Sequence, residues 1–271
     1  MFSEKYGYKP KKQIMYESIS DVLRQRIWNL FYLNDVKAIN IGLNDIFNSK
    51  SVEEMVADKL GLAVNGIKQR NTVEEYVTMT CKWYEVYDFL DIYLSVISES
   101  YKQQRINEIN QLLEEEKSGY RIVNGEIAPI TSTSEIETIE QAANSPFNSV
   151  NEHIQKALGF YADIKNPDYE NSIKESISAV EAMCCIITGE SGHSATLGST
   201  LKKLKDCGVY IHSAMEKAFS ALYGYTCDEN GIRHGGKDFH NVPAEDAKYM
   251  LISCSAFVNY LIEKWCKVQE T

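Results

Sequence analysis

Apolar residues recur at steps of three and four along nearly the whole chain, and this 3.6-residue period constrains its fold more than any other feature. Over 19–31 it takes the form of Ile19, Val22, Leu23, Ile27, Leu30 and Phe31, with Ser18 or Ser20 ahead of them as a cap. A short helix is expected over about 51–60. Thr72 with Glu75 makes a capping box that opens a long helix, with Tyr76, Met79, Trp83, Val86, Leu90, Tyr93, Leu94 and Ile97 turned inward. Its continuation over 99–117 is more polar, and the run Glu114, Glu115, Glu116, Lys117 before Gly119 reads as a solvated helix end.

The helical period gives way once. Tyr120–Val123 and Glu126–Ile130 are short β-prone runs around Asn124-Gly125, the dipeptide that best supplies the two positive φ values of a type I′ turn. A small hairpin is therefore expected inside an α protein. After it, TSTSEIETIEQAANSP holds one short acidic helix, about 134–144, ending at Ser145-Pro146, where a domain boundary is expected. Residues 1–146 then form a mainly helical N-terminal domain and 147–271 a second domain.

That second half reads as an antiparallel four-helix bundle. A helix over about 147–164 aligns Val150, Ile154, Ala157, Leu158, Tyr161 and Ile164. The next starts at Pro167-Asp168, aligns Ile173, Ile177, Val180, Cys184 and Ile187, and stops at Gly189. Leu197–Leu204 and Ala214–Leu222 form a third, broken region, and about 243–266 carries Ala247, Met250, Leu251, Cys254, Phe257, Val258, Leu261, Ile262 and Trp265. The fold class is all-α, with the single hairpin as its exception.

Composition narrows the function. Lys and Arg total 28 against 38 Asp and Glu, a net charge of −10, which excludes a general nucleic-acid coat protein because those bind by neutralising phosphates. Division at residue 146 gives 16 − 22 = −6 and 12 − 16 = −4, so neither half is a basic platform. No stretch has the apolar length of a membrane span and the first residues lack a secretory pattern, so a cytoplasmic protein without membrane contact is expected. The seven Cys (81, 184, 185, 207, 227, 254 and 266) form no CxxC pair, most lie at apolar positions of the expected helices and read as small apolar residues, and no metal or cofactor is expected.

The chemistry concentrates in a polar, Gly-rich stretch from Leu222 to Pro243, longer than a bundle connection needs. It holds Arg233, His234, Lys237, His240 and Asn241, with Gly235 and Gly236 permitting close backbone approach to a ligand. Pro243 starts a helix whose free N–H groups favour an anion, while Glu245 and Asp246 already complement that end and oppose one.

With these residues in view, the second half resembles a HEPN domain, whose ribonuclease members carry Arg, usually followed by a polar residue, with His after four to six intervening residues. The matching residues are Arg233, His234 and His240, set among DYENSIKESISAVEAMCCIITGE, LYGYTCDENGIRHGG and EDAKYMLISCSAFVNYL. SEKYGYKP, the RIWNL helix and the RIVNGEIAPI hairpin are similar to the AbiJ-type N-terminal domain of abortive-infection proteins. The resemblance implies a metal-independent endoribonuclease in phage defence or a toxin-antitoxin system, cleaving RNA such as tRNA by 2′-hydroxyl attack to leave a 2′,3′-cyclic phosphate. It also implies a homodimer with a composite active site and an antitoxin or other defence-system partner. The match is strongest at GIRHG, so two assignments stand: His240 as the acid or base with His234 assisting, or His234 in its place. A catalytically inactive HEPN domain that dimerises or binds a partner or nucleotide is the alternative.

Supporting roles have structural rivals. Glu181 orients Arg233 or faces solvent, and Lys202, with Lys203 and Lys205, guides RNA or is a solvated face. Tyr225, with Tyr223, stacks on bases or packs. His153 and His212 read as helix-surface residues, and His193 as a cap or loop residue.

Overall fold

The structure is a computed structural model that describes residues 2, 6–8, 12–36, 51–64, 72–163, 165–191, 196–227 and 242–270, for 225–227 the backbone only. The chain forms two compact units, Met1–Thr131 and Ser132–Thr271.

In the first unit, α1 (Asp21–Phe31) is capped by Ser20, whose hydroxyl accepts from the Leu23 N–H at 3.1 Å. Leu23, Ile27 and Phe31 are buried, whereas Val22, expected on the same face, is exposed. Helix α2 (Val52–Lys59) opens with a Ser51/Glu54 capping box. The long helix expected from 72 is broken. A π-helical turn over Tyr76–Thr80 ends at Cys81, whose extended backbone donates its N–H to the Tyr76 carbonyl at 3.0 Å, and α3 (Trp83–Val96) starts afresh. The wider turn inserts one residue into the period, and Met79 stands 80% exposed instead of inward. Phe31 meets Phe89 and Tyr93 edge-on, at 5.4 and 5.1 Å between ring centres, in the core beneath.

Helix α4 (Glu99–Glu115) leads to the hairpin of β1 (Arg121–Val123) and β2 (Glu126–Ala128), paired Arg121 with Ala128 and Val123 with Glu126. Asn124 and Gly125 take φ of 46° and 90°, as a type I′ turn requires. Asn110 of α4 fixes the hairpin, its amide donating to the Ile122 carbonyl and its Oδ1 accepting the Ile122 N–H, both at 2.8 Å.

The second unit contains α5 (Thr133–Ala143), α6 (Asn148–Ala162), α7 (Tyr169–Thr188), α8 (Leu197–Lys203), α9 (Ser213–Cys227) and α10 (Ala244–Gln269). Helices α6, α7 and α10 pack on one another, and α5 joins them by packing on α10 and α6. The units therefore divide between 131 and 132, and α5, read from sequence as lying before a boundary at 146, packs in the second. Helix α7 follows its sequence closely: the Asp168 carboxylate accepts the Asn171 N–H at 3.0 Å, and Gly189 ends the helix at φ 71°. Ile173, Ile177, Val180, Cys184 and Ile187 are all buried. Ile164 lies outside the described residues. The mainly α class with one hairpin is the observed one.

Candidate functional site

The catalytic residues expected from the sequence, Arg233, His234 and His240, lie outside the described residues, as do Lys237, Asn241 and His193. The structure describes the helices that precede and follow them in the chain. Helix α9 rests on α8 and α7, while its Phe219 ring stacks on Phe257 of α10. Further along the chain Val242 is buried and Pro243 is extended (ψ 154°), so α10 begins at Ala244 with Glu245 and Asp246 in its first turn. Those carboxylates complement the helix dipole.

Tyr225 lies in the last turn of α9, with its side chain outside the described residues. Glu181 is half-buried on α7, close enough to Cys184 and Cys185 for its charge to add to their shifts. Burial, aided by Cys185 and Glu181, pushes the Cys184 thiol up to about 12, so Cys184 is a packed, unreactive group. Cys81 and Cys254 are buried free thiols too, whereas Cys266 is exposed. Lys202 is exposed at the end of α8, beside Lys203, which pairs with Glu190. His153, expected as a plain surface residue, is half-buried with Nδ1 2.6 Å from Glu175 Oε2. No local signal marks that pair, because it joins α6 to α7. His212 does sit at a helix start: its Nδ1 accepts the Ala214 N–H at 3.2 Å.

Among the described residues, two polar networks lie in the first unit, where sequence reading placed none. Glu116 is buried, its side chain 2% exposed, and is held by Lys12 at 2.7 Å and Arg26 at 2.6 Å, while Arg26 also grips Glu115 at 2.6 Å. Burial works against the Glu116 carboxylate, but the two cations outweigh it and keep its pKa below the ordinary value. The helix end is solvated at Glu114, Glu115 and Lys117, as read, but Glu116 is an anchor; the missing signal is that Lys12 and Arg26 are distant in sequence. A second network joins the buried Arg105 to Tyr93 at 3.0 Å and to Glu108 at 2.7 Å, with Asp35 accepting from the Tyr93 hydroxyl. Burial, with Asp35 close by, pushes the Tyr93 phenol up. Both networks have the geometry of structural locks.

Among the described residues no His, Cys, Asp or Glu group is arranged to hold a metal ion, and no helix is long and apolar enough to cross a membrane. Nothing among curated proteins or solved structures matches the chain. One family model does: residues 1–145 match AbiJ N-terminal domain 4. That is more than half of the chain, and it includes the hairpin, the Glu116 anchor and α5. The chain accordingly belongs to the AbiJ type of abortive-infection protein, with N-terminal domain 4 as its first part.

Proposed function

We propose that the protein is an abortive-infection effector whose second unit is a HEPN-type, metal-independent endoribonuclease. The observation that carries this reading is the AbiJ family match over residues 1–145 followed by the Arg233, His234, His240 pattern in the sequence between α9 and α10. A 2′-hydroxyl attacking its own phosphate needs a proton acceptor, a proton donor and a charge clamp. Histidine, with an ordinary pKa of about 6.5, exchanges protons near neutrality. Arginine holds two phosphate oxygens at once and never loses its charge.

In this mechanism His240 takes the 2′-hydroxyl proton or gives one to the leaving 5′-oxygen, with His234 as its assistant or replacement. Arg233 steadies the charge that develops on the phosphorus oxygens. The products carry a 2′,3′-cyclic phosphate and a 5′-hydroxyl. A homodimer that brings two such loops together supplies both acid and base, so a dimer is the proposed unit, with RNA as substrate and an antitoxin or defence component as a further partner. The first unit is proposed to regulate or oligomerise.

The test is incubation of the purified full chain with total RNA or tRNA in EDTA, with the 3′ ends of the products analysed. Cleavage is expected, and Arg233→Ala is expected to reduce it by about 100-fold or more. Separate His234→Ala and His240→Ala variants identify the proton-transfer residue. Arg233→Ala cutting as fast as wild type overturns the reading. The net charge of −10 favours a second reading, a non-catalytic HEPN domain that dimerises or binds a partner. Under it, wild type and all three variants are equally inert on RNA while partner binding persists.

A further inference from the structure

Within an acidic chain, one described stretch of the second unit is basic and aromatic together. Lys202, Lys205 and Lys217 are exposed and have no ion pair to a described residue, while Lys203 is held by Glu190. Asp206 and Glu216 lie in the same stretch, leaving four lysines against two acids between 202 and 217. The remaining eight basic residues of the unit are spread over Ser132–Thr271.

The backbone explains how the surface is presented. Leu197, Thr200, Leu201 and Leu204 are buried, so the opposite side of α8 and its final turn carries Lys202 and Lys205 outward. The chain reverses through Gly208, at φ 83°, and Val209 donates its N–H back to Leu204 at 2.9 Å. In the segment that follows, Val209 (1% exposed) and Ile211 (8%) face inward and Tyr210 (58%) faces out. Burial of those two side chains is what leaves the Tyr210 ring in solvent. His212 then opens α9, and Lys217 stands exposed one turn on.

We propose that Lys202, Lys205, Tyr210 and Lys217 form a docking surface for single-stranded RNA, made of residues other than Arg233, His234 and His240. The proposal rests on the ribonuclease reading for its purpose. An exposed ring offers a stacking face to any base, and flanking lysines meet the phosphates on either side, the combination that binds single strands without regard to sequence. Helix α9 starts at this surface and ends at the loop; its 15 residues span about 22 Å. Along α9, Ala214, Ala218, Ser220 and Ala221 are exposed and free of charge, so a strand held at Tyr210 meets no repelling carboxylate from these four positions. The surface thereby gives an acidic protein a local grip on one polyanion.

The experiment measures fluorescence anisotropy of a short fluorescein-labelled 2′-O-methyl oligouridine, which has no free 2′-hydroxyl to react, on titration with the full chain in EDTA at several salt concentrations. Lys202→Glu with Lys205→Glu is expected to weaken binding at least ten-fold and to lower the salt slope by about 1.4. Tyr210→Ala is expected to cost roughly ten-fold, and Tyr210→Phe to bind as wild type does. All four changes lie at exposed positions, and circular dichroism verifies the fold. Equal affinity of wild type and variants, or no binding by wild type, overturns the docking surface, while Arg233-dependent cleavage is judged by its own assay. Loss of binding by the patch variants in a protein that cleaves no RNA keeps the surface and removes the nuclease. Loss of binding together with a changed molecular mass in light scattering makes the patch a protein interface and overturns the proposal.

Discussion

A carboxylate held between Lys12 at 2.7 Å and Arg26 at 2.6 Å, with its side chain 2% exposed, makes Glu116 a charge that the folded state must keep ionised. Its folded pKa lies below the ordinary 4.5, so its stabilisation is complete above that value and is lost as pH falls through the lower one. Glu116→Gln is expected to lower stability at neutral pH by on the order of 2 kcal/mol, and to flatten the acid side of the stability curve, both read by urea unfolding across pH. Three residues on, Gly119 has no room for a side chain: a Cβ there falls 2.4 Å from the Tyr16 ring and 2.8 Å from the Met15 carbonyl. Gly119→Ala is expected to cost about 1–3 kcal/mol in the same assay, and Tyr16→Ala, by opening the space, to recover part of it. Neither effect is legible in the sequence around 114–119, where three glutamates announce solvent, because the partners come from residues about a hundred positions earlier. The proposed catalytic pattern is the opposite case. Arg233, His234 and His240 lie close enough in sequence to be read directly, whereas the exposure of Tyr210 depends on what Val209 and Ile211 pack against.

Elements whose signals are local match their sequence. Helix α7 has its cap, its apolar steps and its stop within its own residues, and it runs from Asp168 to Gly189 as read. Gly189 meets no atom within 4 Å of an added Cβ, so its role is purely its left-handed backbone. Gly189→Ala is expected to cost about 1 kcal/mol, and Gly189→Asn less, in thermal unfolding of the full chain. The hairpin was legible for the same reason, since Asn124-Gly125 dictates its own turn. Helix α3 was not. The apolar period runs on through the π turn at 76–80, and nothing in residue type distinguishes five-residue from four-residue hydrogen bonding. Helix α9 shows the other limit: its period is amphipathic, yet much of it is exposed and one face is given over to the surface that includes Lys217.

Across the whole molecule, family likeness and packing divide the chain at different places. The family match ends at 145, but the second compact unit begins at 132. Helix α5 falls in the overlap: Ile139, Ala142 and Ala143 are buried, Glu135 pairs with Lys248 at 2.9 Å, and the Asn259 amide donates to the Thr138 carbonyl at 3.0 Å. The Ser145-Pro146 break is a strong local stop, which is why the sequence pointed to a boundary there; the α5 contacts with α10 are more than a hundred residues apart and left no local trace. A fragment of residues 132–271 is expected to be more stable than one of 147–271, by about 2 kcal/mol or more from the Ile139 side chain alone, measured by denaturant unfolding. The overlap also bears on how such proteins recombine. A graft that moves residues 1–145 onto another second unit takes α5 with it, and the donor bundle is left with a bare seam on α10 while the recipient must offer a groove for an extra helix. Exchange of second units behind a shared N-terminal half is therefore expected to favour bundles already shaped to receive this helix, and productive crossovers are expected to cluster near residue 131 or to bring a matching last helix along.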